Sequence, residues 1–222
     1  MRFDQFSNQV SNDYALFTLA LSGLCLRTAV TPQSIAQLQV EGHRAVNSFV
    51  KTASDAADYY LITLDDGVVS RDQRDRQGRL LTALRIIATK NLTDSVLRVK
   101  NGSAPKSMLY GGSAAMDALM KQAQDKQDFK AVDSAGRVWH ASKLVKALTR
   151  DFAYQTLIDM QAATLAAIGD LAVVSYPDAT HVYNGLVISF TGTPEYPSLA
   201  SVRSAIFHPN ASAQLVGMPS HV

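Results

Sequence analysis

Residues 132–169 read VDSAGRVWHASKLVKALTRDFAYQTLIDMQAATLAAIG, and they join two kinds of pattern. Val132 and Val138-Trp139 flank Asp-Ser-Ala-Gly, a turn-forming sequence that predicts a β-hairpin. Ser142 then suits the N-cap of a long helix that runs to about Ile168, and Gly169 is placed to end it. The apolar residues of this helix recur every three or four positions: Leu144, Val145, Leu148, Phe152, Leu157, Ile158, Leu165 and Ile168.

Two runs rich in β-branched and aromatic residues follow this helix. Leu171 to Tyr176 and Leu186 to Phe190 are bounded by glycine and proline, which predicts two short strands. The last thirty or so residues are rich in proline. We expect them to be irregular apart from a short helix from about Ser198 to Ala205.

The chain before residue 126 has the periodicity of a series of helices separated by turns and a loop. The first helix is predicted from Phe3 to Leu26, and Thr31-Pro32 then supplies an N-cap and a first-turn proline for a second. A third is predicted from Val69 to Val99, with a loop from Asn101 to Gly112 and a short helix from Ala114 to Lys126 after it. The predicted stripe of the second helix is Ile35, Leu38, His43, Val46, Phe49 and Val50, and that of the third is Leu80, Leu81, Leu84, Ile87, Val96 and Leu97. Asp65-Asp66-Gly67 is expected to separate these two helices.

These patterns predict an α+β protein with a mostly helical N-terminal part and a smaller α+β C-terminal part that contains the hairpin, the long helix and the short strands. We place the domains at 1–126 and 127–222. A hydrophobic fraction of 47% and a charged fraction of 18% are typical of a globular protein.

Composition also narrows the classes of function. A formal net charge of +2 does not by itself indicate nucleic-acid binding. The single cysteine, Cys25, lies in an apolar stretch and predicts a buried thiol of a protein made in a reducing cytoplasm. The apolar run from Tyr14 to Leu26 falls short of the ~20 residues that span a bilayer, and no basic cluster precedes it. We therefore expect neither export nor a membrane anchor.

A search for reactive groups predicts no catalytic, cofactor-binding or metal-binding residue. The five histidines are dispersed (His43, His140, His181, His208 and His221), and no pair has the spacing of a helical metal site. Asp178 and His181 define no reaction by themselves. Asp151 and Asp159 are too far apart along one helix to share a proton. The mixed charges from Arg71 to Arg79 are more typical of a solvated helix face than of a phosphate site.

One basic stripe is a candidate contact surface. Lys143, Lys146 and Arg150 fall on one face of the long helix. They would suit DNA phosphate or an acidic partner, and a solvated face is the alternative.

The C-terminal part also carries a series of short motifs in a fixed order. They are Asp133-Ser-Ala-Gly-Arg-Val-Trp139, a helix with Thr149-Arg150, Ile168-Gly-Asp-Leu-Ala-Val-Val-Ser175, Tyr183-Asn-Gly-Leu-Val-Ile-Ser-Phe-Thr-Gly192, Tyr196-Pro-Ser-Leu199 and Phe207-His-Pro-Asn210. This series resembles the C-terminal half of the Mu F-like minor head proteins, the phage minor capsid protein 2 family. It covers a little over a third of the chain, from about residue 131 to 216. The residues that carry it are Asp133, Gly136, Arg137, Trp139, Gly185, Gly192, His208, Pro209 and Asn210.

The resemblance implies a structural role and no enzymatic one. It implies a minor head protein of a tailed phage or prophage, made in the host bacterial cytoplasm and located in the head or portal region of the virion. Its partners would be the portal protein or the major capsid protein, in several copies around a symmetric ring, and the packaged DNA. The alternatives are a DNA-contacting or ejected internal virion protein and, without a supporting motif, a remote ADP-ribosyltransferase or a protease.

This sequence departs from the family at two places. Relatives often have cysteines before the second strand and after His-Pro-Asn, whereas residues 178–183 contain none and position 211 is alanine. Thr149-Arg150 also inverts the usual Arg-Thr order. Because the cysteines are missing and the histidines are dispersed, we expect no zinc. His208 is expected to make a structural hydrogen bond in a turn.

Two further expectations concern packing. Trp139 is predicted to be buried against Val132, Val138 and Leu144, and an exposed anchor for a partner is the alternative. Apolar residues nearly encircle the first helix, so part of its surface is expected to meet another subunit. A helix buried within its own chain is the other possibility. These apolar residues are Phe3, Phe6, Tyr14, Phe17, Leu19, Leu21 and Leu24.

Overall fold

Three long helices form the first half of the described chain. A computed structural model describes residues 2–64, 67–102, 130–132, 136, 138–208 and 210–218. The helices are α1 (Phe3–Arg27), α2 (Pro32–Leu64) and α3 (Arg71–Lys100), as the periodicity predicts. The Thr31 hydroxyl accepts a 3.2 Å bond from the Ser34 amide at the start of α2. Ser70 and Gln73 form a reciprocal capping box at the start of α3.

A short hairpin leads into the fourth long helix. Strands β1 (Lys130–Val132) and β2 (Val138–His140) pair antiparallel, with Val132 opposite Val138, which confirms the predicted pairing. Helix α4 (Ala141–Ala166) begins at the next residue. The turn residues 133–135 lie outside the described residues, and so do residues 65–66 and the predicted helix 114–126.

The C-terminal unit is a small antiparallel sheet with one short helix. Its elements are β3 (Leu171–Ser175), β4 (Val187–Ser189), α5 (Leu199–Ile206) and β5 (Gln214–Gly217). Strand β3 lies in the middle of the sheet, and Val173 is opposite both Val187 and Val216. The described chain is therefore mostly helical with a small three-stranded sheet.

Helix α4 contributes to two hydrophobic cores. Its first half, up to Ala153, joins α1, α2 and α3 in a helical core, where Phe6 packs 5.2 Å from the ring of Tyr60 and 5.5 Å from that of Phe152. From Tyr154 onward it packs against the sheet and α5. The predicted division at residue 126 stays a prediction. The packing shows that the long helix of the C-terminal part completes the core of the N-terminal helices.

Several predicted details of α4 are wrong. The helix begins directly after β2, so Ser142 lies inside its first turn rather than at the N-cap. It ends at Ala166, three residues before Gly169, and Ile168 is 83% exposed. The Gly169 amide still bonds the Leu165 carbonyl at 3.0 Å. The apolar periodicity therefore outlasts the helix, because the chain has to turn at residues 167–170 to enter β3.

Two residues of the predicted helical stripes face outward. His43 is exposed, and its neighbour Gly42 faces the core instead. A Cβ at Gly42 would lie 2.2 Å from Leu92 Cδ1, so the leucine of α3 occupies the space that a side chain there would need. Leu97 is 55% exposed, since Val96 and Val99 take the buried face of α3.

At the C-terminus the predicted short helix is confirmed, but the residues after it include a strand that was not predicted. Helix α5 begins after Ser198, whose hydroxyl accepts a 3.2 Å bond from the Ser201 amide, as expected. Strand β5 was missed because Leu215 is the only buried residue in it. Its position is determined by pairing with β3 and by α4. Gln161 of α4 accepts a 3.1 Å bond from the Leu215 amide, and Tyr154 donates a 2.6 Å bond to the Ala213 carbonyl.

Candidate functional site

Of the three residues in the predicted basic stripe, the two lysines are exposed and the arginine forms an ion pair within the chain. Lys143 and Lys146 are exposed on α4 and form no ion pair with a residue that the structure describes. Arg150 instead pairs with Asp4 of α1 at 3.0 Å, and its guanidinium lies 5.2 Å from the Phe3 ring centroid. The third cation therefore contributes to packing between α1 and α4.

The motif residues of the C-terminal unit meet around Asp170. This carboxylate lies directly before β3 and accepts bonds from Ser189 Oγ (2.5 Å) and from the amide and hydroxyl of Thr191 (3.1 and 2.9 Å). The same hydrogen bonds hold the pKa of Asp170 below its ordinary value. Two motifs that are nineteen residues apart, Gly-Asp-Leu and Ser-Phe-Thr-Gly, are thus joined at one corner of the sheet.

Two motif glycines make the turns of this unit. Gly192 has φ +84°, and its amide donates a 2.8 Å bond to Ser189 Oγ. A Cβ there would lie 3.2 Å from Ser198 Cβ, so a side chain would be both strained and crowded. Gly185 has φ +82° and donates a 2.8 Å bond to the Val174 carbonyl.

Asp178 and His181 organise the loop between β3 and β4. Asp178 Oδ1 accepts bonds from the amide (2.9 Å) and the hydroxyl (2.7 Å) of Thr180, which lower the pKa of Asp178. The His181 ring stacks on Tyr176, with centroids 3.6 Å apart and an interplanar angle of 13°. Its Nδ1 accepts a 3.3 Å bond from the Tyr183 amide. Both side chains serve the geometry of the loop.

The remaining motif residues occupy different environments. Trp139 is half-buried rather than buried, and Val138 is 60% exposed because alternate residues of β2 face opposite sides. Gly136 has φ +76° in the hairpin connection. His208 and Asn210 are exposed, and the His208 carbonyl accepts a 2.8 Å bond from the Ala211 amide in the expected turn. Asp133, Arg137 and Pro209 lie outside the described residues.

A polar cleft of about 530 Å³ lies between the start of α3 and the second half of α4, and Arg203 of α5 also lines it. At its floor, Asp159 of α4 accepts from Arg76 of α3 and from Arg203 of α5, each at 2.5 Å. Arg203 also donates a 2.7 Å bond to Gln155 Oε1, and the side-chain Nε2 of Gln155 donates to the Phe207 carbonyl.

Sequence reasoning did not find this cluster. The stretch from Arg71 to Arg79 was expected to form a solvated face, yet Gln73 and Gln77 are buried and Arg76 is half-buried. Asp151, Gln155 and Asp159 repeat every four residues, which indicates one polar face of α4. No local pattern shows that cations from two other helices complete it.

The described residues contain neither a candidate metal site nor a candidate membrane span. Within that part of the chain, no group of three or more His, Cys, Asp or Glu side chains is arranged to hold a metal ion. None of its helices combines the length and the apolar character that crossing a membrane requires.

Comparison of the chain with family models, curated proteins and solved structures found no match.

Proposed function

We propose that this chain is a structural minor head protein of a tailed phage or prophage, which docks at the portal or on the capsid interior and assists head assembly or DNA packaging and delivery. The observation that carries the proposal is the ordered motif series from Asp133 to Asn210, which resembles the Mu F-like minor head proteins. The proposed location is the virion.

The roles of the motif residues support this proposal. Asp170, Ser189 and Gly192 close one corner of the sheet, and Asn184 Oδ1 accepts a 2.9 Å bond from the Tyr176 amide at the next turn. These residues stabilise turns and a corner of the sheet, which is what a structural role of the motif series requires. The particle-specific contacts would then lie on the helical part.

The helical part offers exposed apolar side chains for such contacts. Leu16 of α1 is 63% exposed, Tyr59 of α2 57% and Ile86 of α3 64%. Because single exposed apolar residues are common on protein surfaces, these positions need a direct test.

The test is quantitative mass spectrometry of purified particles from a strain in which the gene is deleted and supplied again from a plasmid. We expect the wild-type chain at low copy relative to the major capsid protein. Glu substitutions at Leu16, Tyr59 and Ile86 should lower incorporation while the purified variants stay folded. A matched control is Thr82→Glu on the exposed face of α3. Particles that contain no peptide of the wild-type chain would refute the proposal.

A second candidate function is contact with packaged DNA, which the exposed Lys143 and Lys146 favour. Each phosphate contact contributes about 0.9 to the slope of log affinity against log salt, so losing both lysines should reduce that slope by about 2. The variant is Lys143→Gln with Lys146→Gln, measured on duplex DNA. Its matched control is Lys51→Gln with Lys90→Gln, which removes the same charge from lysines already paired with Asp55 and Asp94. Equal slopes in the two double variants would exclude a role for the stripe.

A further inference from the structure

The two hydrophobic cores meet along a seam that α4 spans. Ala153 is the last α4 residue of the helical core, and Tyr154 is the first of the C-terminal core. Away from α4, the described side chains that line the cleft beside this seam are polar. The cleft there is lined on the α3 side by Ser70, Asp72, Gln73, Asp75, Arg76 and Arg79.

Asp159 bridges this seam with its two carboxylate oxygens. Oδ2 pairs with Arg76 of α3, and Oδ1 pairs with Arg203 of α5. The side chains of Asp159, Arg76 and Arg203 are 29%, 24% and 28% exposed, so the cluster is partly shielded from solvent. Partial burial strengthens such pairs and makes an uncompensated charge costly.

The two arms of the bridge are not equivalent. Arg203 keeps two further bonds to Gln155, from Nε to Oε1 (2.7 Å) and from Nη2 to the backbone carbonyl (3.2 Å). Arg76 Nε, by contrast, is buried without a hydrogen-bond partner among the described residues. The attachment of α5 to α4 can therefore outlast a break at Asp159, whereas Arg76 depends on Asp159 to hold the start of α3 against the second half of α4.

We propose that the Arg76–Asp159 ion pair is a latch that closes the seam cleft. When the pair separates, α5 stays on α4 through Arg203 and Gln155, and the cleft widens between α3 and the C-terminal unit. The C-terminal unit then moves together with the second half of α4. This inference does not depend on the proposed role in the virion.

The test measures the distance between α3 and α5 by pulsed electron spin resonance. Spin labels are attached at Thr82→Cys and Ala200→Cys, which are exposed positions on the two helices. The native Cys25 is buried at 1% exposure and is kept. The test variant is Arg76→Gln, which removes the ion pair with Asp159. The matched control is Arg74→Gln, which breaks the Arg74–Asp58 pair between α3 and α2 on the other side of the same helix.

We expect one narrow distance distribution in the wild type and in Arg74→Gln. Arg76→Gln should add a longer and broader population, and Arg76→Lys, which keeps the charge, should show less of it. An Arg76→Gln distribution that matches the wild type would overturn the latch, and so would equal broadening in Arg74→Gln. If Arg76→Gln does not fold, Asp159→Asn replaces it, because it removes the same ion pair while Arg203 keeps its bonds to Gln155. An Asp159→Asn distribution that matches the wild type would then overturn the proposal.

Discussion

The hydroxyl of Tyr60 in α2 donates a buried 2.7 Å hydrogen bond to the backbone carbonyl of Ala153 in α4. The two residues are 93 positions apart in the chain. Ala153 is also the last residue that α4 contributes to the helical core, so the bond ties α2 to the point where α4 passes between the two cores. Burial raises the pKa of the Tyr60 phenol, which keeps its proton available as a donor.

Replacing Tyr60 by Phe tests the value of this bond. Tyr60→Phe keeps the ring stacked on Phe6 and removes only the hydroxyl, so the free energy of unfolding should fall by about 1 kcal/mol. The neighbouring Tyr59 is 57% exposed and gives a matched control. Chemical denaturation should show Tyr59→Phe within about 0.5 kcal/mol of the wild type. Equal losses in both variants would contradict the assignment.

A substitution at Gly192 tests whether the corner of the sheet requires glycine. Gly192→Ala places a Cβ at φ +84° and 3.2 Å from Ser198 Cβ, so we expect a loss of about 1–3 kcal/mol. The control is Gly169→Ala, where an added Cβ meets no atom within 4 Å and φ is not positive. Thermal unfolding should show a lower midpoint in Gly192→Ala alone. An unchanged thermal midpoint in Gly192→Ala would show that the backbone at this corner accommodates the added Cβ at little cost.

The Asp170 carboxylate should make the stability of the protein fall at low pH. Its pKa is lowered by the bonds from Ser189 and Thr191, so its stabilising effect is present above the unfolded value and is lost as pH falls through the folded value. Asp170→Asn should therefore unfold at a lower temperature than the wild type at pH 7. The difference should shrink below pH 3.8, the ordinary value of the group. A difference that is constant from pH 7 to about pH 2 would show that charge is not the cause.

Asp13 should behave in the opposite way. Burial raises its pKa, and its Oδ2 is buried without a hydrogen-bond partner in the part of the chain that the structure describes. Stability is therefore lost as pH rises through the folded pKa, and Asp13→Asn should recover it at pH 7. The substitution removes a charge that is only partly shielded from solvent, so we expect a small rise in the thermal midpoint at pH 7. Asp55→Asn, at a largely exposed and ion-paired site, should not raise the midpoint at pH 7.

The helices could be predicted from the sequence because their signals are local. Thr31-Pro32 and the Ser70–Gln73 capping box lie within a few residues of the helix starts that they specify. Apolar periodicity then identifies most of the buried face. It misplaced His43 because Gly42 is buried without a side chain, and hydrophobicity alone cannot show that Leu92 of another helix fills that space.

The site was harder to predict because its contacts are distant in sequence. Arg76 and Asp159 are separated by 83 positions and Asp159 and Arg203 by 44, so each looks like an ordinary exposed charge in its own segment. Strand β5 shows the same limit, since its place depends on β3 and on Gln161 of α4. Asp170 and Gly192 could be identified as motif residues, but their shared contact with Ser189 appears only in the folded chain.

The last prediction concerns α1, whose apolar surface was expected to be shared with another subunit. In the structure, Phe6, Tyr14, Phe17 and Leu21 are buried within the chain by α2, α3 and α4. The alternative of a self-buried helix is therefore the correct one for these side chains. Leu16, at 63% exposure, remains on the outer face.

Phe6→Ala should accordingly cost about 3–5 kcal/mol, because it removes a fully buried ring that contacts both Tyr60 and Phe152. Leu16→Ala, on the same helix, should change the free energy of unfolding by less than about 0.5 kcal/mol. Denaturant titration of the two purified variants separates these outcomes. If Phe6→Ala were no less stable than Leu16→Ala, the assignment of Phe6 to the helical core would be wrong. If Phe6→Ala is the less stable variant, α1 is part of the core. Deleting residues 1–27 would then unfold the chain, and its failure to enter particles would not show that α1 has a partner. Surface variants such as Leu16→Glu are then the valid test for a partner of α1.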